Sequence, residues 1–164
     1  MQKQAKYLVI VGGFIILALS SHKALAELSP QMANEVVNYY FNGQEEGPIL
    51  MEAKLCKTIE NRECTEDIDP KSIVQGEVIN VWMKFLVPKD ASYDDIFIEY
   101  KYEGTPRQLT PYKVDSSIRY RVVDTFRPNK LGEWTITIKR GVKELKQFTI
   151  DVVEKKIETT QTTN

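Results

Sequence analysis

The feature that most constrains the fold of this 164-residue chain is an alternation of apolar and polar residues that starts at Val78. Side chains on a β-strand point in turn to its two faces, so a period of two predicts strands with one buried face. The period is plainest in one run of apolar residues: Ile79, Val81, Met83, Phe85 and Val87. With the segment Ile49–Ile59 ahead of it and similar segments after it, the chain contains about seven such strands.

Short turns separate the predicted strands, among them Pro88–Ser92, Gly104–Pro106 and Arg140-Gly141. The strands are spaced about 8–15 residues apart, which leaves no room for helical crossovers and favours antiparallel pairing. These features predict an all-β fold, an immunoglobulin-like antiparallel β-sandwich of about seven strands. A small β-barrel is the alternative architecture.

The N-terminus has the three parts of a secretory signal peptide. Lys3 and Lys6 supply a basic start, Tyr7–Leu19 is an apolar run, and Ala24–Ala26 has small residues at its first and third positions. The run is about 13 residues, whereas a membrane-spanning helix needs roughly 20. We therefore expect residues 1–26 to be removed on export, with an uncleaved N-terminal anchor as the alternative. Both interpretations predict a periplasmic or secreted protein.

The rest of the chain divides into three segments. Ser29-Pro30 and Gly43 are typical start and stop signals of a helix, so residues 27–47 are predicted to form a short helix and a linker. Residues 48–153 form the predicted β-sandwich domain, and residues 154–164 are too polar to pack, which predicts a disordered tail. The helix is expected to pack on the main domain, or to contact a partner, through its apolar stripe: Met32, Val36, Val37 and Tyr40.

Charge and histidine content exclude several chemistries. The signal peptide carries three of the 22 basic residues and none of the 23 acidic ones, so the mature chain has a net charge near −4. Nucleic-acid binding needs clustered positive charge, and none is predicted. His22 is the only histidine and leaves with the signal peptide, which removes Ser-His-Asp and Cys-His catalysis. We expect no cofactor and no enzymatic activity; a hydrolase that uses paired carboxylates is the remaining enzymatic alternative.

Cys56 and Cys64 are the two cysteines of the chain. In an oxidising compartment such a pair at short spacing predicts a structural disulfide, with free thiols or a labile redox bond as alternatives. Two cysteines without histidine do not complete a zinc site, so no metal site is predicted. Glu66, Asp67 and Asp69 offer oxygen ligands, but they lack the glycine and distal glutamate of a calcium loop, and a solvated acidic turn is the favoured interpretation.

Three residues are candidates for a ligand-binding surface: Trp82, Arg119 and Arg121. Trp82 lies opposite the apolar face of its strand, so it is the predicted exposed aromatic contact unless a loop or the helix covers it. Arg119 and Arg121 share one strand face, with Lys139 expected nearby, and guanidinium groups suit a carboxylate or phosphate. Cross-strand pairing with acids such as Glu99 is the alternative interpretation of the two arginines.

A series of short motifs follows one another along the domain: Ala53–Cys56, Glu60–Glu63, Val78–Trp82, Ile98–Gly104, Arg119–Arg121, Gly132–Trp134 and a closing strand at Leu145–Val152. This order resembles the bacterial domain of unknown function 2914 over about residues 50–153, and the Arg-aromatic-Arg and Gly-x-Trp motifs are its most specific part. The family commonly has a His and a Trp in the places of Glu99 and Tyr100, so no role of that His is carried over. The resemblance implies a bacterial envelope β-domain and implies no activity.

These observations predict an exported, non-enzymatic bacterial envelope domain whose role is interaction or assembly with another envelope protein. A small-ligand or carbohydrate-binding module is the alternative function. The two differ at the surface: an assembly protein shows a flat apolar patch or an unpaired sheet edge, whereas a binding module shows an exposed aromatic and polar patch around Trp82.

Overall fold

The computed structural model describes residues 29–155. In chain order their elements are α1 (Pro30–Asn42), β1 (Ile49–Glu60), β2 (Glu63–Asp67), β3 (Ile73–Val74), β4 (Ile79–Tyr102), β5 (Thr105–Phe126), β6 (Gly132–Arg140) and β7 (Lys143–Val153). The predicted signal peptide and all but the first two residues of the predicted tail lie outside the described residues. Within residues 29–155, no helix has the length and apolar character that crossing a membrane requires.

Two long strands, β4 and β5, run through both layers of the sandwich. The first half of β4 (80–86) pairs with β1, and its second half (96–102) pairs with β6, while β5 follows β4 along its other side. The first layer therefore has the strand order β2-β1-β4-β5, and the second has β5-β4-β6-β7-β3. All pairings are antiparallel except the short contact between β3 and β7. The predicted all-β, immunoglobulin-like sandwich is confirmed.

The turn predicted at Pro88–Ser92 is present as a bend within β4: Tyr100, near the end of this strand, hydrogen-bonds to Asp124, whose strand partner Val81 lies near its start. The backbone continues in one strand through this region, and register shifts against β5 at Val87/Ser92 and Tyr93/Ile96 mark a bend. Irregularities of this kind bend a strand without ending it, which lets β4 pass from one layer to the other. β5 bends opposite β4 in the same region and also passes from one layer to the other as a single strand.

The core lies between the two layers and is formed by the alternating apolar positions. All five apolar residues of the run that begins at Ile79 are fully buried. At one end, aromatic rings join the layers: Tyr100 stacks on Phe126 with centroids 4.3 Å apart, and Phe126 meets Trp134 edge-on at 5.1 Å. Aromatic pairs in these geometries add about 0.5–1.5 kcal/mol each beyond the burial of their surface.

The helix α1 packs on the sandwich through only part of its apolar stripe. The Ser29 hydroxyl accepts a hydrogen bond from the Met32 backbone N–H at 3.2 Å, which is the predicted N-cap. Val36 and Tyr40 are half-buried, whereas Met32 and Val37 are exposed. The helix is therefore a peripheral element that adds little to the core.

Arg140 ties the segment after α1 to the second layer. Its guanidinium donates hydrogen bonds to the Glu46 carbonyl at 2.6 Å and to Asp95 Oδ2 at 3.1 Å, and it lies 5.3 Å from the ring centroid of Tyr93. Gly47 has a φ of +83°, and a Cβ at this position would collide with the guanidinium. Glycine is required here both by the left-handed backbone and by the close approach.

Candidate functional site

The turn between β1 and β2 folds over the outer face of the first layer. Cys56 and Cys64 form a disulfide with Cα atoms 5.8 Å apart, as the sequence predicted. Between them, Asn61 and Arg62 have φ values of 50° and 64°. Positive φ at both central residues is the conformation of a two-residue type I′ hairpin turn. The disulfide and the tight turn together fix the tip of this hairpin.

Trp82 lies beneath this turn and is only 2% exposed. Its indole Nε1 donates a hydrogen bond to the Arg62 carbonyl at 2.8 Å, and Lys84 Nζ lies 5.4 Å from its ring centroid. The prediction of an exposed aromatic contact is therefore wrong. Alternation shows which face of a strand carries a residue, but it does not show that a neighbouring hairpin covers that face.

The two predicted arginines have different surroundings. Arg121 forms an ion pair with Glu63 of the hairpin. Arg119 is exposed and has no ion pair within residues 29–155. Lys139, expected beside them, pairs instead with Glu99 in the second layer. The structure thus does not bring the predicted ligand-binding residues together on an open surface.

We use the name covered face for the surface beneath the hairpin. Besides Trp82 and Arg121, it includes Lys84, which forms an ion pair with Glu52. Hydrogen bonding from Lys84 is the main reason that the pKa of the Glu52 carboxyl lies below its ordinary value of 4.5. Each cation of the covered face therefore has an acidic partner, which is the arrangement of a structural ion-pair cluster.

The disulfide sulfurs of Cys56 and Cys64 lie close to a carboxylate oxygen of Asp67. Sulfur atoms that are joined in a disulfide are not thiolates, so this group does not have the ligands of a metal site. Glu66 forms an ion pair with Lys57 at 3.4 Å. Most of the acidic segment belongs to β2, and its carboxylates take part in local contacts of this hairpin.

A polar group lies between the layers near the aromatic end of the core. The Tyr100 hydroxyl donates a hydrogen bond to Asp124 Oδ2 at 2.6 Å. Burial, and then the hydrogen bond to Asp124, raise the pKa of Tyr100 above its ordinary value of 10.0, and the same two causes raise the pKa of Tyr112. The hydrogen bond between Tyr100 and Asp124 thus joins the two layers of the sandwich.

The open side of the sandwich between β1 and β7 has two strand edges that face one groove. On the side of β1 away from β4, pairing with β2 starts only at Cys56. On the side of β7 away from β6, pairing with β3 involves only Val152 and Val153. In the described part of the chain, residues 49–54 and 143–150 therefore have no strand partner on these sides. We name the groove between them the seam.

Three adjoining cavities of about 390, 310 and 240 Å³ run along the seam. The first two share Leu50 and Leu145, and the last two share Ala53, so they form one continuous groove. These residues and Phe148 are half-buried, while Met51 is 43% exposed at the rim. Unpaired backbone edges beside apolar pockets are the features that an added β-strand uses.

An unpaired edge is expected of an assembly protein, and one feature of the sequence indicates where it lies. In the hairpin that contains the Cys56–Cys64 disulfide, β2 ends at Asp67, which pairs with Cys56. The predicted strand starts at Ile49, so its first half is too early in the chain to have a partner in that hairpin. The length of β1 relative to the disulfide was therefore the signal for the seam.

Comparisons with known proteins add a general likeness in fold. No family model and no curated protein matches the chain, so the resemblance to the domain of unknown function 2914 stays a prediction. An immunoglobulin-like protein from Pseudomonas aeruginosa is similar in structure, with 11% identity and a TM-score of 0.47 over 65% of this chain and 96% of its own. A CARDB domain from Pyrococcus furiosus has 14% identity and a TM-score of 0.39 over 66% of this chain and 98% of its own. A β-glucosidase from Listeria innocua has 10% identity and a TM-score of 0.43, and the match covers 64% of this chain and 16% of that enzyme. At these values the comparisons carry no inference about function.

Proposed function

We propose that this chain is an exported, non-catalytic domain of the bacterial envelope that binds another protein along the seam. The observation that carries the proposal is the pair of unpartnered strand edges that flank one groove, which has apolar side chains at Leu50, Ala53, Leu145 and Phe148. An incoming strand gains affinity from main-chain hydrogen bonds to such an edge and specificity from the pockets that take its alternate side chains. The buried position of Trp82 removes the main support for the alternative, a binding module built around that residue.

The chemistry of the seam identifies the kind of segment that it accepts. Residues 49–54 span about 20 Å at about 3.3 Å per residue, which matches an extended segment of about six residues. The pockets at Leu50, Ala53 and Leu145 call for apolar side chains at alternate positions of that segment. The walls also carry Glu52 and Lys146, so charge does not favour a strongly acidic or basic partner.

Export is supported by the N-terminal sequence and by the disulfide, which forms in oxidising compartments. The test is to express the full chain in a Gram-negative host and to sequence the N-terminus of the product in the periplasmic fraction. We expect Glu27 as the first residue. Retention of the intact chain in the cytoplasm, with both cysteines alkylated without reductant, contradicts this part of the proposal.

Protein binding at the seam is tested by placing a photo-crosslinking amino acid at Met51 in the native host. The control position is Leu109, which is 58% exposed on β5, away from the seam. We expect one discrete adduct from position 51 and none from position 109. Mass spectrometry of that adduct is expected to locate the crosslink in a partner segment with alternating apolar residues.

Two further observations separate strand addition from other contacts. Ala53→Asp places a charge in the groove and is expected to abolish the adduct, whereas Leu109→Asp leaves it intact. Amide hydrogen exchange of residues 49–54 is expected to slow in the complex, because an added strand protects the edge. Adduct formation that survives Ala53→Asp, or a partner segment without apolar alternation, refutes binding at the seam.

A further inference from the structure

A separate cavity of about 350 Å³ lies on the β5 side of the sandwich. The start of β5, at Arg107 and Gln108, and its end, at Thr125 and Phe126, line this cavity together because β5 passes from one layer to the other. The loop between β5 and β6 contributes the remaining wall, with Arg127, Asn129 and Lys130. We name this site the basic cavity.

The three cations of the basic cavity have no acidic partners. Neither Arg107, Arg127 nor Lys130 forms an ion pair with any carboxylate of residues 29–155. Two of them lie near the ring of Tyr102, with the Arg107 guanidinium 5.7 Å and Lys130 Nζ 4.9 Å from its centroid. Glu103 lies in the same turn as Tyr102 and forms no ion pair with any cation of residues 29–155. Cations that lie close together repel each other, and a bound anion removes that repulsion.

The loop that carries two of these cations is held in a defined conformation. Four consecutive backbone carbonyls accept hydrogen bonds: Pro128 from Gly76 N–H at 2.8 Å, Asn129 from Gln75 Nε2 at 2.8 Å, Lys130 from Trp134 Nε1 at 3.0 Å and Leu131 from the Tyr102 hydroxyl at 3.0 Å. These four hydrogen bonds fix the backbone of residues 128–131. A site that is ordered before binding loses less conformational entropy when the ligand arrives.

We propose that the basic cavity binds an oxyanion, a phosphate or carboxylate group, carried by a small polar ligand. Guanidinium groups form paired hydrogen bonds with both kinds of oxyanion. Gln108, Thr125 and Asn129 add neutral hydrogen-bonding groups around the cations. The volume is near the lower end of the range of about 300–1,000 Å³ for small-molecule sites, which suits a ligand of about the size of one sugar. This site is distinct from the seam and does not depend on its function.

The two tryptophans of the chain make a direct test possible. Trp134 lines the basic cavity, whereas Trp82 lies under the β1–β2 hairpin, and each gives its own indole N–H signal in a ¹H–¹⁵N spectrum. The exported full chain is titrated at constant ionic strength with inorganic phosphate, glucose 6-phosphate, glucuronate and glucose. We expect the anions, and not glucose, to shift the Trp134 signal while the Trp82 signal stays in place. Whichever of glucose 6-phosphate and glucuronate binds with the higher affinity then shows whether the site prefers a phosphate or a carboxylate.

Variants show whether the two arginines of the basic cavity are responsible. Arg107→Gln and Arg127→Gln are each expected to lower the affinity for the more tightly bound anion at least about 10-fold, because each removes a charged hydrogen-bond donor. The control is Arg119→Gln, which removes an exposed guanidinium of β5 that lies outside the basic cavity and has no ion pair within residues 29–155, and it is expected to leave the affinity unchanged. The undisturbed Trp82 signal shows that each variant is folded. The proposal is overturned if no anion moves the Trp134 signal, if both indole signals move together, or if Arg119→Gln weakens binding as much as Arg107→Gln.

Discussion

The covered face and the basic cavity contain similar residues but differ in how their charges are balanced. Both combine a tryptophan with clustered cations. On the covered face, Glu52 neutralises Lys84 and Glu63 neutralises Arg121. In the basic cavity, no carboxylate of the described residues pairs with Arg107 or with the two cations of the neighbouring loop.

This difference teaches that residue types alone do not separate a structural cluster from a binding site. A cation with an acidic partner contributes to the stability of the fold, and a ligand has to displace that partner. A cation without one adds repulsion to the folded state and is available to an external anion. Substitutions on the covered face should therefore lower stability, whereas equivalent substitutions in the basic cavity should affect binding and leave stability almost unchanged.

The largest expected effect comes from Trp82→Ala. This change removes a fully covered ring and its hydrogen bond to the Arg62 carbonyl, and we expect a loss of about 3–5 kcal/mol in the free energy of unfolding. Urea denaturation followed by circular dichroism measures it. Trp82→Phe keeps most of the ring and is expected to lose about 1–2 kcal/mol. A loss below about 1 kcal/mol for Trp82→Ala means that the hairpin does not cover this residue in solution.

The sequence predicted the strands better than it predicted the site, and the reason lies in the range of the interactions. The alternation at Ile79–Val87 reports which side chains face the core, because it depends only on neighbours along the strand. The burial of Trp82 depends on a hairpin some 20 residues earlier in the chain, as its bond to Arg62 shows. The basic cavity is still harder to predict from the sequence. Arg107 and Arg127 line it together only because β5 bends from one layer to the other.

The next effect concerns the disulfide that holds the hairpin on the covered face. Replacing Cys56 and Cys64 together by Ser is expected to cost about 2–3 kcal/mol, because the short loop between them gains freedom in the unfolded state. The measurement is the urea midpoint of the double variant against the oxidised protein. The Trp82 indole signal should also broaden or shift in the variant, while the Trp134 signal should not. Equal changes in both signals indicate that the disulfide stabilises the whole domain and not the hairpin in particular.

A smaller effect separates paired from unpaired cations directly. Arg121→Gln breaks the ion pair with Glu63 and is expected to lower stability by about 0.5–1 kcal/mol, the usual range for a partly exposed pair. Arg107→Gln removes an unpaired cation and is expected to change stability by less than about 0.3 kcal/mol, or to raise it slightly by relieving repulsion. Both are measured by urea denaturation at low salt, where charge effects are largest. If Arg107→Gln is the more destabilising of the two, the contrast between the regions is wrong.

The smallest effect is a pH dependence confined to the covered face. Because Lys84 lowers the pKa of Glu52 in the folded protein, this carboxyl stabilises the fold above pH 4.5, and the contribution is lost as the pH falls through the lower folded-state pKa. Glu52→Gln should therefore lower stability at neutral pH by about 0.5 kcal/mol, a modest value because solvent screens this partly exposed pair. The difference from the wild-type protein should disappear on acidification below the folded-state pKa, where the native carboxyl is also neutral.

Arg107→Gln is the matched comparison, since it lacks a titrating partner, and its stability curve should run parallel to that of the wild-type protein over the same range. A constant difference for Glu52→Gln at every pH would mean that the ion pair with Lys84 does not form in solution.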